Sequence, residues 1–338
     1  MSHKEYLFCL LALFIFTSCS HGESEPLDEP LSQYAYSIYG GAKDTNPAHE
    51  AVVSLFYTPQ DTSFCTGTLI APNWVLTASH CVIENGQIMP EALKYKVGVG
   101  DTEKQLSYNL HDIDGIYPHE NYDEYSSGND IALIHLKRSI KGIEPIQILS
   151  PEIGFTNESI ATGDIKVEFV GFGYDENRNY GTKLTFTGTV SDYCGSESDS
   201  TSGCRTPNGY MPFGSIYYTQ RQGGPCNGDS GGPAFVTVDG VEYVAGITSY
   251  GDSWCTVYGV STAVQNFYDW IVEETARVGD PLIEIINEPI NSSEEEISDD
   301  SNEDHVIDSD DNSSEEFNED YDWYYGWDDD WYFPAWQW

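Results

Sequence analysis

Basic residues are scarce in this chain. It has 14 Lys and Arg against 56 Asp and Glu in 338 residues, a formal net charge of −42. A protein this acidic repels a phosphate backbone, so no nucleic-acid partner is expected. The shortage is uneven. No Lys or Arg follows Arg277, and residues 280–338 hold 21 of the acids. Residues 1–37 hold 5 more, which leaves 30 acids against 13 bases in the span between. The middle is therefore a moderately acidic globule and the tail a separate segment. Long apolar runs are also missing. The nearest, residues 7–16, is shorter than the roughly 20 residues a helix needs to cross a bilayer. The cysteines include no C-x-x-C pair, which argues against a structural zinc site.

The length that is present allows one large or two medium domains with a real core. A hydrophobic content of 39% and an aromatic content of 14% suit a β-leaning globular protein. At the N-terminus, Lys4 precedes the short apolar run, and small residues follow at Thr17, Ser18, Cys19 and Ser20. Residues 1–19 read as an export signal. Phe16-Thr17-Ser18-Cys19 resembles a bacterial lipobox in which Cys19 is lipidated after cleavage, with Phe16 in the place of the usual Leu. Cleavage after Ser20 is the competing reading. Either route carries the protein out of the cytoplasm, secreted or as a cell-envelope lipoprotein tethered to the membrane through Cys19. Setting aside Cys9 and Cys19 leaves Cys65, Cys81, Cys194, Cys204, Cys226 and Cys255, an even number that suits three disulfides in an exported protein. Residues 20–37, rich in Glu, Pro and Ser, read as a flexible pro-segment.

The rest of the chain is organised around Gly228-Asp229-Ser230-Gly231-Gly232-Pro233. Four tight-turn residues make a poor helix or strand but a good rigid turn. Such a turn can hold the Ser230 hydroxyl outward while the amides of Gly228 and Ser230 converge on one cavity, where they can stabilise the oxyanion of an acyl-transfer intermediate. Serine alone is a weak nucleophile, so this reading requires a base and an acid to orient it. Trp74-Val75-Leu76-Thr77-Ala78-Ser79-His80-Cys81 supplies a histidine at the end of a strand-like run. Gly128-Asn129-Asp130-Ile131-Ala132-Leu133 places an acid at the mouth of an apolar strand, where burying it without partners is costly. His3, His21, His49, His111, His119, His135 and His305 lack comparable surroundings and receive no role.

From Ile38 to about Gly279 these motifs, in the order His80, Asp130, Ser230, resemble the trypsin/chymotrypsin family of serine proteases. The resemblance implies an all-β fold of two antiparallel β-barrels, over about 38–145 and 160–262. A closing helix over 264–277 and a disordered acidic tail over 280–338 complete the expected architecture. It implies a Ser230–His80–Asp130 triad, and protein or peptide substrates. Ser37-Ile38-Tyr39-Gly40-Gly41 resembles the family's activation site, so an activating protease would cut before Ile38 and the new amine would pair with Asp229. Ser37 is neither Arg nor Lys, which argues against a trypsin-like activator. Cys65–Cys81 and Cys226–Cys255 fit the family's pairings. Cys194–Cys204 departs from it and reads as a local bond.

The same resemblance places the substrate site on Gly224, Ser249, Tyr250, Gly251 and Gly259. Gly224 stands where trypsins carry an acid, and glycine at 251 and 259 leaves the walls open, which favours bulky apolar or aromatic side chains before the scissile bond. An elastase-like preference is the runner-up, and Asp252 near the rim keeps a trypsin-like one open. A rival of another class is a non-catalytic homologue that binds partners through its cleft or its tail. No cofactor and no metal is expected. Asp308, Asp310, Asn312 and Glu319 fall at calcium-loop offsets, but Ser313 replaces the turn glycine and no helix pattern flanks them. The tail therefore reads as a solvated acidic segment, and its aromatic end, 321–338, suits docking on an unidentified partner, a surface polymer or the chain's own pocket.

Overall fold

The structure is a computed structural model that describes residues 38–60, 62–163, 165–175, 180–195 and 203–282. The export signal with Cys19, the pro-segment including Ser37, and the tail from 283 onward lie outside the described residues. Among the described residues no helix is long and apolar enough to cross a membrane.

Short β-branched and aromatic runs punctuated by turns form strands. Six of the longer ones in the first half are β1 (Val52–Tyr57), β2 (Thr62–Ala71), β3 (Trp74–Thr77), β4 (Tyr95–Gly98), β5 (Leu110–Pro118) and β6 (Ala132–Leu136). They close into an antiparallel barrel in the order β1-β2-β3-β6-β5-β4. Six more follow: β7 (Lys166–Gly171), β8 (Leu184–Cys194), β9 (Ser215–Thr219), β10 (Pro233–Val238), β11 (Val241–Gly251) and β12 (Tyr258–Ala263). Their pairings close a second antiparallel ring, β7-β8-β9-β12-β11-β10. The connectivity of the first barrel is thus repeated in the second. Closure removes the unpaired edges that an open sheet of this size would expose.

One apolar cluster runs from Val53, Leu55, Val75 and Leu133 of the first barrel through Val170, Phe172 and Phe235 to Val264 and Ile271. A second, around Val167, Phe169, Ile216, Tyr218 and Ala263, fills the other barrel and takes in Ile38. The expected closing helix begins as a 3-10 turn (Val264–Phe267) and becomes α-helical over Tyr268–Val278, burying Ile271 and Thr275 one turn apart. Gly279, at φ +89°, ends it in the left-handed conformation that favours glycine at this cap.

Among the described residues three disulfides join Cys65–Cys81, Cys194–Cys204 and Cys226–Cys255. The first closes a loop of sequence separation 16 around the His80 turn. Replacing Cys65 and Cys81 together by Ala is expected to cost about 3 kcal/mol of unfolding free energy through the freed denatured chain. Urea unfolding of the two proteins checks this.

Candidate active site

His80 does not sit in a strand. Strand β3 ends at Thr77, and a 3-10 turn, Ser79–Cys81, carries the imidazole. Two bonds fix that turn: the Cys65–Cys81 disulfide and a hydrogen bond from Ser79 Oγ to the Ile131 carbonyl at 2.6 Å. The second bond lands beside Asp130, which immediately precedes the apolar segment leading into β6.

Asp130 is 1% exposed, and its partners offset the cost of burying a charge. Oδ1 accepts from the His80 backbone N–H at 2.9 Å, and Oδ2 lies 2.7 Å from His80 Nδ1. Oδ2 also accepts from Ser249 Oγ at 2.5 Å, and the Asp130 carbonyl accepts from Thr262 Oγ1 at 2.9 Å. Ser249 and Thr262 belong to β11 and β12, so Asp130 joins the two barrels through its carboxylate and its carbonyl. A carboxylate accepts only, so Nδ1 is the donor and a neutral imidazole keeps Nε2 as its acceptor. Burial disfavours the imidazolium, but the Asp130 charge and hydrogen bond outweigh it and hold the His80 pKa above its ordinary value. Burial likewise opposes the Asp130 charge, and His80 with the Ser249 hydroxyl brings its pKa below the usual carboxylate range.

The Ser230 turn is clasped by both barrels. The Ser230 carbonyl accepts from Thr66 N at 2.8 Å, Gly228 O from Thr66 Oγ1 at 2.9 Å, and Thr248 O from Gly231 N at 2.8 Å. Cys81 Sγ lies 3.7 Å from the Ser230 carbonyl oxygen, which sets the turn against the His80 segment. Gly231 has φ +80°, and a Cβ there would lie 2.1 Å from Thr77 Oγ1, so only glycine allows the approach. Among the described residues no hydrogen bond engages the Gly228 or Ser230 amide.

Asp229 points the other way and is 1% exposed. Its oxygens accept from Gly173 N and Cys226 N, each at 2.8 Å, and from the Ile38 backbone N–H. Burial pushes its pKa up to about 7 against the pull of these bonds. Ile38 is fully buried and holds φ +38°. A β-branched residue in that region is strained, by roughly 1–3 kcal/mol. The next residue is held by Gly224: Tyr39 O accepts from Gly224 N at 2.8 Å.

Around the expected substrate site Gly251 pairs with Gly259 across β11 and β12, and the Cys226–Cys255 disulfide links the Ser230 turn to their connection. The glycine walls do not face open space. A Cβ at Gly259 would lie 2.4 Å from the Tyr218 ring, and one at Gly224 would lie 2.5 Å from Gln220 Nε2. Tyr218 and Gln220 are the residues that motif reasoning missed. Neither belongs to a motif, and only strand pairing brings Tyr218 opposite Gly259. Asp252 is held by its own loop. Its carboxylate accepts from the backbone amides of Trp254, Thr256, Val257 and Tyr258. These bonds bring its pKa below the ordinary value despite burial. Tyr250 is half-buried beside it, and Trp254 is 76% exposed.

Among the described residues two groups of side chains approach metal-binding spacing. In Cys65, His80 and Cys81 both sulfurs are in a disulfide, so no thiolate is available. The other gathers His49, Glu168 and Glu242. There His49 is fully buried, with Nδ1 3.0 Å from Asp44 and Nε2 3.3 Å from Glu242. Burial alone would lower its pKa, yet the two acids raise it to about 9, so His49 is an imidazolium in an ion-pair cluster and not a ready ligand.

Comparison with known proteins places these features in context. A family model described as Trypsin matches residues 38–271. The chain is 33% identical over 220 residues to a trypsin of Phaedon cochleariae, an alignment covering 63% of this chain and 79% of that protein. It is 29% identical over 287 residues to chymotrypsin-C of Mus musculus, covering 78% and 98%. Vitamin K-dependent protein C of Oryctolagus cuniculus is 29% identical over 217 residues, covering 61% of this chain and 45% of that longer protein.

Proposed function

The chain belongs to the trypsin family and is a serine endopeptidase, and on that premise we propose that Ser230, His80 and Asp130 perform the hydrolysis in an exported protein made as a zymogen. Ser230 Oγ attacks the scissile carbonyl while His80 Nε2 takes its proton. Asp130 keeps the proton of the resting imidazole on Nδ1 and stabilises the imidazolium that forms. The amides of Gly228 and Ser230 receive the oxyanion. His80 then returns the proton to the leaving amine, and water resolves the acyl-enzyme by the same steps. The observation that carries this reading is the 2.7 Å contact between His80 Nδ1 and a buried carboxylate that Ser249 also engages.

Activation is proposed to be a cut before Ile38. The φ of Ile38 exists only while a residue precedes it, so cleavage removes the strain at +38°. It also leaves an ammonium beside the buried Asp229 carboxyl, in place of an amide. With Cys19 lipidated, the precursor is held at a membrane. The cut then frees the catalytic domain, because residues 20–37 contain no cysteine to bridge it. Activated enzyme that remains membrane-bound would contradict this release.

The residue before the scissile bond is proposed to be neutral. Gly224 offers no charge, and the Asp252 carboxylate is occupied by backbone amides. Glycine at 251 and 259 favours bulky apolar or aromatic side chains. The placement of Gln220 and Tyr218 favours the elastase-like alternative instead. The test is peptide turnover by protein beginning at Ile38. Hydrolysis at a neutral residue supports the reading, and no hydrolysis by folded, cut protein points to the binding homologue.

A further inference from the structure

Strand β9 ends at Thr219, and the chain turns at Gln220, Arg221 and Gln222 before reaching Gly224. Gln220 is 1% exposed, an unusual state for a long amide side chain. Its backbone N–H donates to the Val257 carbonyl at 3.1 Å, which fixes the root of the side chain between β9 and β12. Nε2 donates to the Pro225 carbonyl at 2.6 Å. A carbonyl can only accept, so this bond settles which end of the amide is which. Oε1 is therefore turned toward the opposite wall, where a Cβ on Gly251 would lie 3.3 Å from it. The same amide blocks the Cβ direction of Gly224. It therefore spans from the floor to one wall of the space the three glycines enclose. Tyr218 closes the third side. Its ring covers Gly259 and packs tilted against Phe169 at 4.5 Å between centroids, and its hydroxyl lies 3.3 Å from Ser261 Oγ.

We propose that Gln220 is a specificity-determining residue that shortens the pocket before the scissile bond, so that the enzyme selects small neutral side chains, Ala, Ser or Thr. The inference rests on the endopeptidase reading above and on Gly224, Gly251 and Gly259 lining the substrate site. A large ring or a long aliphatic chain would have to displace an amide held by a 2.6 Å hydrogen bond, leaving the Pro225 carbonyl unpaired in a buried position. A basic side chain would meet no acid. A short side chain leaves the amide in place, and a hydroxyl can donate to Oε1.

The experiment uses protein beginning at Ile38, with active sites counted by a small fluorophosphonate so that rates refer to competent enzyme. Peptides differing only in Ala, Ser, Leu, Phe or Arg before the scissile bond are compared by kcat/KM. The expected result is that Ala and Ser exceed Leu, Phe and Arg by at least about 10-fold, the range that pocket fit alone supplies. Gln220→Ala is expected to raise the Phe-to-Ala and Leu-to-Ala ratios by about 10-fold or more. The ratio is read within one protein, so partial misfolding of the variant does not mimic it. Wild type that prefers Phe or Leu, or ratios unmoved in Gln220→Ala, would overturn the role of Gln220 while leaving the endopeptidase reading intact. Absence of both phosphonylation and cleavage would instead remove the reading on which the role depends.

Discussion

Asn in place of Asp130 is expected to lower kcat about 10⁴-fold at neutral pH, with little change in KM. The reason lies in the geometry of the two carboxylate oxygens. One accepts from the His80 backbone N–H at 2.9 Å, and the other faces Nδ1 at 2.7 Å. A backbone N–H needs an acceptor, so the Asn carbonyl takes the first place and its NH₂ group the second. There the NH₂ donates to Nδ1, which moves the ring proton to Nε2, and an Nε2 that carries a proton cannot take one from Ser230. The carboxylate charge that holds the His80 pKa high is lost as well, so the acid limb of kcat/KM moves to lower pH. Steady-state kinetics across pH on folded Asp130→Asn protein checks both effects. A loss under about 10-fold would show that Asp130 does not set the tautomer.

Cutting before Ile38 is expected to raise kcat/KM by about 10³-fold or more, because loss of even one oxyanion donor costs 10²- to 10³-fold. Asp229 shapes the loop that presents the Gly228 and Ser230 amides, and its own partners are all neutral N–H groups in the uncut chain. That leaves its pKa near 7, above the ordinary 3.8. In the uncut chain the folded state therefore holds a proton that the unfolded state has already released. Its contribution to stability is complete below about pH 4 and is lost as pH rises through about 7. The Ile38 ammonium of the cut chain favours the ionised carboxylate and abolishes that loss. The Tm gained on cutting should thus be small near pH 4 and grow toward pH 8. Paired melting curves of the two forms across this range, alongside their rates, check the prediction. A Tm difference that shrinks with rising pH would contradict the pairing.

Residues with a motif around them were legible in the sequence. Gly228-Asp229-Ser230-Gly231 announces a turn, and the structure clasps that turn between Thr66 and Thr248. Asp130 at the mouth of an apolar strand requires partners, and His80, Ser249 and Thr262 are there. The barrels were legible through the family resemblance that these motifs carry, although β3 gives way to a 3-10 turn at His80 and the closing helix starts late. Side chains whose surroundings depend on long-range register were not. Gln220 reads as an ordinary loop residue until β9 and β12 pair. Asp252 reads as a rim charge until the tight loop after it folds back four amides. His49 has one partner close by in sequence, Asp44, but Glu242 reaches it from the distant β10–β11 region.

The most direct measurement is the site of covalent labelling by a fluorophosphonate on protein that begins at Ile38, read by peptide mass mapping. The arrangement of His80, Asp130 and the Gly228–Ser230 amides predicts one adduct per molecule, on Ser230, forming faster as pH rises through the His80 pKa. Folded, cut protein that takes up no adduct, or takes it up on another residue, would contradict the assignment of Ser230 as the nucleophile.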